Sequence, residues 1–394
     1  MLELIREAEK TLSVVLKPTP LIFSSSLSRL YGFECHLKLE NLQKTGSFKA
    51  RGAYNKLSSL TPEEKRRGVI TASSGNHAQG VAWAAALLGV KSTIVMPESS
   101  PIVKQVATRA YGGEVVLHGA FFDEAYSHAT ALAASRSLIF IPPFEDNLVM
   151  AGQGAIGLEI LSQLPDVDAV VVPIGGGGLI SGIASAMKGI KKEVKVIGVQ
   201  AAASPSCIAS LKAGQPVEVR KKATIADGIA VKRVGAMTFA IIKQLVDAVV
   251  SVEEETIAAA ILQFLERKKL IVEGAGAVTL AAAMEARLPK GIKKAVLVIS
   301  GGNIDVTMLD RVIRLGLLKE GRLMRIETVL ADVPGSLARL TADIAAQKAN
   351  ILHIIHHREA VDTPIGATKV EVILEVEGPQ HAGRILKEMK EKGW

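Results

Sequence analysis

The sequence predicts an α/β protein of parallel sheets covered by helices, followed by a small α+β module. Three observations predict it. From about residue 36 to 310, short β-branched runs alternate with helical patterns of about 10 to 15 residues, the sign of right-handed strand–helix–strand crossovers. After Lys319 the order changes to strand, helix, strand, strand, helix. Of the 394 residues, 48% are apolar and 22% charged, with only 15 prolines, so both parts can bury a core without disulfide staples.

In chain order, the opening M-L-E-L-I-R-E-A-E-K carries charges of both signs where a secretory leader needs an unbroken apolar stretch. Strands are expected at 36–40, 68–72, 92–96, 114–118, 138–141, 169–172, 194–199, 247–251 and 294–300, all but the first carrying Val or Ile. Ala-rich helices fill the gaps, N-H-A-Q-G-V-A-W-A-A-A-L-L-G (76–89) among them. The uncharged stretch Ala169 to Met187 is long enough to raise the question of a membrane helix. Pro173 and Gly175 to Gly178 break it where a strand hands over to a helix, so a buried strand–helix unit is expected and no membrane span. Residues 1–318 then form the core, 319–323 a charged linker and 324–394 the second module. Within that module strands are expected at 324–331, 350–357 and 367–376, with helices ending near Lys348 and covering 379–393.

Lys plus Arg outnumber Asp plus Glu by 47 to 39, a net charge of +8. The excess is scattered over helix faces with no basic stripe interleaved with aromatics, so nucleic acid is not an expected partner. The only cysteines, Cys35 and Cys207, lie far apart among aliphatic residues. They make neither a disulfide framework nor a paired metal spacing, and a reducing, cytoplasmic address is expected.

Four loops carry the chemistry. Gly175 to Gly178 lie between a strand and a helix, where bare backbone N–H groups and the helix end can hold a phosphate. On its own the run serves a close strand–helix contact equally well, and it fits neither the dinucleotide glycine spacing nor a nucleotide P-loop. In K-T-G-S-F-K-A-R-G-A (44–53), Ser47 is the expected helix cap and Lys49 falls in the first turn. There the helix end disfavours an ammonium and helps Lys49 act as a neutral amine able to form a Schiff base. S-S-G-N-H (73–77) offers consecutive N–H groups and short polar side chains to a carboxylate, and S-G-G-N (300–303) ends another strand. Ligands of open α/β sheets gather at the carboxyl ends of strands, where these loops belong.

These motifs, with G-G-G-G-L and in this order, resemble those of the fold type II pyridoxal-phosphate enzymes, whose fold is that of the tryptophan synthase β subunit. They are most similar to those of the threonine dehydratases (threonine ammonia-lyases) and the related serine racemases, over roughly residues 10 to 316. The resemblance implies a large domain of about 1–70 and 149–318 and a small domain of about 71–148. It implies pyridoxal 5′-phosphate on Lys49, which would also shuttle the substrate Cα proton. It implies Phe48 beside the cofactor ring, Asn76 on its ring oxygen, Gly175, Gly176, Gly177, Gly178 and Leu179 around its phosphate, and Ser300 on its ring nitrogen. Ser73, Ser74, Gly75, Asn76 and His77 would hold the substrate carboxylate. A neutral Ser300 does not keep the ring nitrogen protonated, so the cofactor is a weaker electron sink and loss of a β-hydroxyl competes well with transamination. The implied reaction turns L-threonine into 2-oxobutanoate and ammonia, and L-serine into pyruvate. An acid assists departure of the hydroxyl, the cofactor phosphate being one candidate.

Some residues leave alternatives open. Ser74 stands where serine racemases carry an acid-base serine, so a serine dehydratase or racemase is the alternative within enzymes, and a catalytically dead amino-acid sensor the alternative outside them. Gln200 and Ser206 replace the carboxylates with which the racemases bind a divalent metal, so no metal is expected. Glu273 and Asp227 read as a helix cap or a domain latch. His353, His356 and His357 do not share a strand face, which argues against a metal. The tail resembles an ACT domain, a ferredoxin-like amino-acid sensor, through D-V-P-G-S-L (332–337). That resemblance implies an effector, isoleucine or valine, near Pro334, Gly335 and Asn350, pairing into a homodimer or homotetramer, and an expected last strand that the sequence lacks.

Overall fold

A computed structural model describes residues 1–220, 222–358 and 363–394. Its strands are β1 (Leu21–Phe23), β2 (Glu34–Leu39), β3 (Val69–Ala72), β4 (Ser92–Met96), β5 (Glu114–Leu117), β6 (Ile139–Phe140), β7 (Ala169–Pro173), β8 (Lys195–Ala201), β9 (Ala248–Val252), β10 (Lys294–Ile299), β11 (Leu323–Ala331), β12 (Asn350–His357) and β13 (Ala367–Glu375). The chain divides into two compact units, Met1–Asp305 and Val306–Trp394.

In the first unit, six strands in the order β1-β2-β10-β7-β8-β9 make one sheet, parallel except for β1. The parallel strands β5-β4-β3-β6 make a second sheet from residues 69–140. Central strands are apolar on both faces because helices cover both: all of Ala169–Pro173 is buried. Each fully buried valine there stabilises the fold by roughly 1.5–3 kcal/mol relative to exposure. The larger core gathers Val170, Val172, Ile180, Ile183, Val196 and Val296 around the six-stranded sheet. Around the smaller sheet, Val69, Val81, Ile94 and Met96 form one face and Ile70, Val95 and Ala129 the other. No helix among the described residues is long and apolar enough to cross a membrane. The Gly178–Ile190 helix, which opens the uncharged stretch's second half, is simply buried against this sheet.

The second unit has an antiparallel sheet in the order β11-β13-β12, with Leu340, Ile344, Ile385 and Met389 of two helices packed on Ile326, Val370, Val372 and Leu374. Its boundary corrects the expected one. The helix Val306–Lys319 falls in the second unit, because it packs on β11, so the division lies at 305/306 and not at the charged 319–323 stretch. Residue charge marked a surface turn there rather than a domain edge.

Candidate active site

Four loops meet at the carboxyl ends of β2, β3, β7 and β10. The loop after β10 is stitched to the segment before Lys49. The Phe48 N–H donates to the Ser300 carbonyl (3.1 Å), Ser47 pairs antiparallel with Gly301, and the Gly302 N–H donates to the Gly46 carbonyl (2.9 Å). This pairing changes the expected start of the next helix. Ser47 is extended (φ −164°, ψ 163°) and Phe48 occupies the cap position of Lys49–Ser58, so Ser47 caps nothing. Its buried hydroxyl is left without a partner among the described residues.

Lys49 reaches into the cleft, where its Nζ donates to the Pro143 carbonyl (2.7 Å) and lies 5.2 Å from the centre of the Phe48 ring. Burial lowers its pKa from 10.5 to about 8, with the charge of Glu273 pulling the other way. An amine so placed is substantially neutral near pH 8 and can attack a carbonyl. The basis is burial rather than the helix end invoked from sequence.

Next to Pro143, Phe144 closes against the glycine loop. A Cβ on Gly176 would strike the Phe144 ring, and one on Gly178 would lie 2.8 Å from the Phe144 Cβ. Gly177 has φ 97°, a left-handed conformation that favours glycine, and a Cβ there would meet Thr238 Oγ1 at 2.7 Å. Thr238 Oγ1 donates to the Gly176 carbonyl (2.6 Å), turning it away, while the N–H groups of Gly175, Gly176 and Gly177 donate to no described group. A cradle of free N–H groups at a helix start, too tight for any side chain, fits an anion such as phosphate. Leu179 is buried just beyond it.

The Ser73–His77 loop follows β3. The Ser73 N–H donates to the Val95 carbonyl (3.1 Å), and Ser73 Oγ accepts from the Gly75 N–H (3.3 Å), holding the turn that starts the Asn76–Leu87 helix. Ser74 is half-buried and its hydroxyl bonds no described residue. The His77 imidazole points away from the loop: Nε2 meets the Ile141 carbonyl at 3.1 Å, and that acceptor assigns the proton to Nε2. Burial, and then the charge of Lys49, push its pKa down to about 3, so the ring is neutral and only its N–H on the helix start is offered to an anion.

Asn76 is engaged on both sides. Its Nδ2 donates to the Glu273 carboxylate (2.8 and 3.0 Å), and its Oδ1 accepts from Asn303 Nδ2 (2.8 Å). Glu273 stands in the cap position of the Gly274–Met284 helix without a side-chain capping bond. Its carboxyl is pushed up to about 7, by burial first; Asn76's hydrogen bond opposes this, Asp227 adds to it, and Lys104 and Lys49 oppose it. Sequence reasoning placed Glu273 as a cap or latch and did not single out Asn303, Pro143 or Phe144; the S-G-G-N spelling was the one available signal for Asn303. Ser300 is buried at the end of β10.

The remaining candidates take other parts. Asp227 pairs with Lys104 (2.9 Å), tying the turn Asp227–Ile229 to the Ile102–Ala110 helix as a latch, and Asp123 pairs with Lys232 beside it. Gln200 Oε1 accepts from the N–H groups of Cys207 (2.9 Å) and Ile208 (3.1 Å), so its buried amide caps the next helix. Among the described residues no group of three His, Cys, Asp or Glu side chains could hold a metal. Both cysteines are free, and burial pushes each thiol up to about 12. In the second unit, Pro334 and Gly335 form the turn into the Ser336–Ala346 helix. Asn350 opens β12 and donates to Glu375 (3.2 Å).

A family model described as pyridoxal-phosphate dependent enzyme matches residues 12–301. The chain is 52% identical over 393 residues to the L-threonine ammonia-lyase of Thermotoga maritima, covering 100% of this chain and 98% of that one. Among solved structures, the processed form of threonine deaminase isoform 2 from Solanum lycopersicum aligns with a TM-score of 0.75 at 41% identity, over 79% of this chain and 92% of that one. Maize serine racemase aligns with a TM-score of 0.76 at 33% identity, over 81% and 98%.

Proposed function

The chain belongs to the family of pyridoxal-phosphate dependent enzymes, and from that membership we propose that it acts as a threonine ammonia-lyase, converting L-threonine to 2-oxobutanoate and ammonia. The observation that carries this reading is the 52% identity to such an enzyme along the whole chain. The enclosed Lys49 amine beside the glycine cradle is what the chemistry requires. L-serine, yielding pyruvate, is the secondary substrate.

The residues present fit the cofactor. Lys49 would hold its carbonyl carbon and the N–H groups of Gly175, Gly176, Gly177, Gly178 and Leu179 its phosphate. Phe48 would lie along its ring, Asn76 would bond its ring oxygen and Ser300 its ring nitrogen. Bound there, pyridoxal phosphate supplies the electron sink that makes the substrate Cα–H acidic. The Ser73–His77 loop holds the substrate carboxylate with the N–H groups of Ser74, Asn76 and His77, those of Ser73 and Gly75 being used to shape the turn, and this orients the Cα–H bond toward Lys49. Lys49, neutral in a useful fraction near pH 8, takes that proton, and the β-hydroxyl leaves as water. Water added back at Cα then releases ammonia, so substrate and products balance.

Regulation completes the reading. The second unit binds isoleucine or valine near Pro334, Gly335 and Asn350, and the enzyme works as a homodimer or homotetramer in the cytoplasm, where Cys35 and Cys207 stay reduced. One observation favours a second activity: the unpartnered Ser74 hydroxyl, together with the likeness to a serine racemase, supports some racemisation of serine.

The test is a 2-oxo acid assay on L-threonine and L-serine, with D-serine measured alongside, for the parent and Lys49→Ala. The parent should form 2-oxobutanoate faster than pyruvate, and Lys49→Ala should lose at least about a thousandfold, as expected when a nucleophile and its proton transfer are both removed. Parent-like turnover by Lys49→Ala would end the proposal.

A further inference from the structure

An asparagine amide can sit in either of two orientations that differ by a flip, and its neighbours decide which. Beside Asn76 both neighbours are fixed. Asn303 Nδ2 gives one hydrogen to the Thr45 carbonyl (2.6 Å), which can only accept, so the nitrogen end of Asn303 is set and Asn76 must turn its oxygen toward it. On the other side Glu273, when ionised, can only accept, so Asn76 must turn its nitrogen there. Flipping Asn76 would set N–H against N–H and oxygen against carboxylate at once. We infer that one Asn76 N–H is shared between the two Glu273 oxygens, and that Glu273 and Asn303 are positioning residues that lock the Asn76 amide so that it presents its second N–H to an oxygen acceptor in the cofactor site. The inference rests on the reading of Asn76 as the partner of the cofactor's ring oxygen.

The surroundings are shaped for this clamp. A Cβ on Gly301 would collide with the Glu273 carboxylate and lie 3.1 Å from Asn76 Nδ2, and a Cβ on Gly46 would lie 3.0 Å from the Asn303 side-chain carbon. Thr45 holds φ 62°, a left-handed conformation that a branched residue adopts only under strain, and its carbonyl is the one that fixes Asn303. Among the described residues Glu273 neither caps its helix nor forms an ion pair, and its buried carboxylate is hydrogen-bonded by the Asn76 amide. The groups facing it are Asn76, Asp227, Lys104 and Lys49. With a carboxyl pushed up to about 7, acid converts one of its two acceptors into a donor, and the clamp loosens as pH falls through neutrality.

The experiment follows the visible band of bound cofactor while cofactor-free full-length protein is titrated with pyridoxal phosphate at pH 6, 7 and 8. Asn76→Ala should bind on the order of tenfold more weakly than the parent, the loss typical of a charge-assisted hydrogen-bond network. Glu273→Gln keeps the shape and removes the charge; its deficit should be on the order of tenfold at pH 8 and shrink toward parity at pH 6, where the parent's Glu273 is itself neutral. Asn303→Ala should lose affinity at all three values. Circular dichroism of each cofactor-free variant reports whether the fold is kept. Parent-like affinities and an unchanged pH profile for Glu273→Gln and Asn303→Ala, with Asn76→Ala weakened, would overturn the clamp alone. A parent-like Asn76→Ala would overturn the reading of Asn76 and the clamp with it.

Discussion

Two single residues near the cleft are constrained by their surroundings, His77 in its protonation and Gly176 in the space around it, and each has a measurable consequence. His77 has a folded pKa of about 3 against 6.5 unfolded, so between those values the unfolded chain binds more protons. Its contribution is therefore present above pH 6.5 and lost as pH falls toward 3, on the order of 5 kcal/mol if the whole shift is expressed. Thermal unfolding followed from pH 7 to pH 4 should show this decline, and His77→Gln should flatten it. Gly176 is limited by space: in Gly176→Ala the methyl strikes Phe144, an overpacking cost of about 1–3 kcal/mol falling on the phosphate cradle. Cofactor affinity measured by the visible band should drop at least tenfold, and the double variant with Phe144→Leu should recover part of it. If the double variant recovers nothing, the Phe144 contact is not what restricts this position.

At the scale of elements, the Lys49–Ser58 helix is anchored by buried charges as well as by the apolar face of Ala53, Tyr54 and Leu57. Arg51 donates to Glu40 (2.8 Å) and Glu159 (2.6 Å), and Lys38 pairs with Glu159 (2.6 Å), joining that helix to β2 and to the Asn147–Gln163 helix. Burial alone would raise the Glu40 carboxyl, but Arg51 and Lys38 overcome it and hold it below its ordinary range. Arg51→Met should leave the buried Glu40 without its ion-pair partner and Glu159 with Lys38 alone, and cost about 3–5 kcal/mol in denaturant unfolding. Lys104→Ala, which cuts the solvent-facing latch to Asp227, should change stability by less than about 1 kcal/mol. Comparable losses from both would mean that the buried network has no special part in holding Lys49.

For the whole molecule, each unit carries its own apolar core, so the chain should separate at the boundary. Residues 1–305 expressed alone should still deaminate threonine and should lack the response to isoleucine or valine proposed for the full chain. Persistence of that response in 1–305 would move the effector site into the first unit. The boundary itself was not legible, since an amphipathic helix such as Val306–Lys319 reads the same whichever core it covers.

The strands, the glycine run and the lysine loop could be read from the residues because the features that make them are local: β-branched runs, missing side chains and turn residues within a few positions. Sequence therefore determined the sheet class and the family's chemistry. It could not determine that Ser47 pairs with Gly301 instead of capping a helix, that Pro143 accepts from Lys49, or that Glu273 and Asn303 close on Asn76. Those contacts join residues far apart in the chain, and the burial that moves Lys49 to about 8 and Glu273 to about 7 exists only after the loops have been packed together.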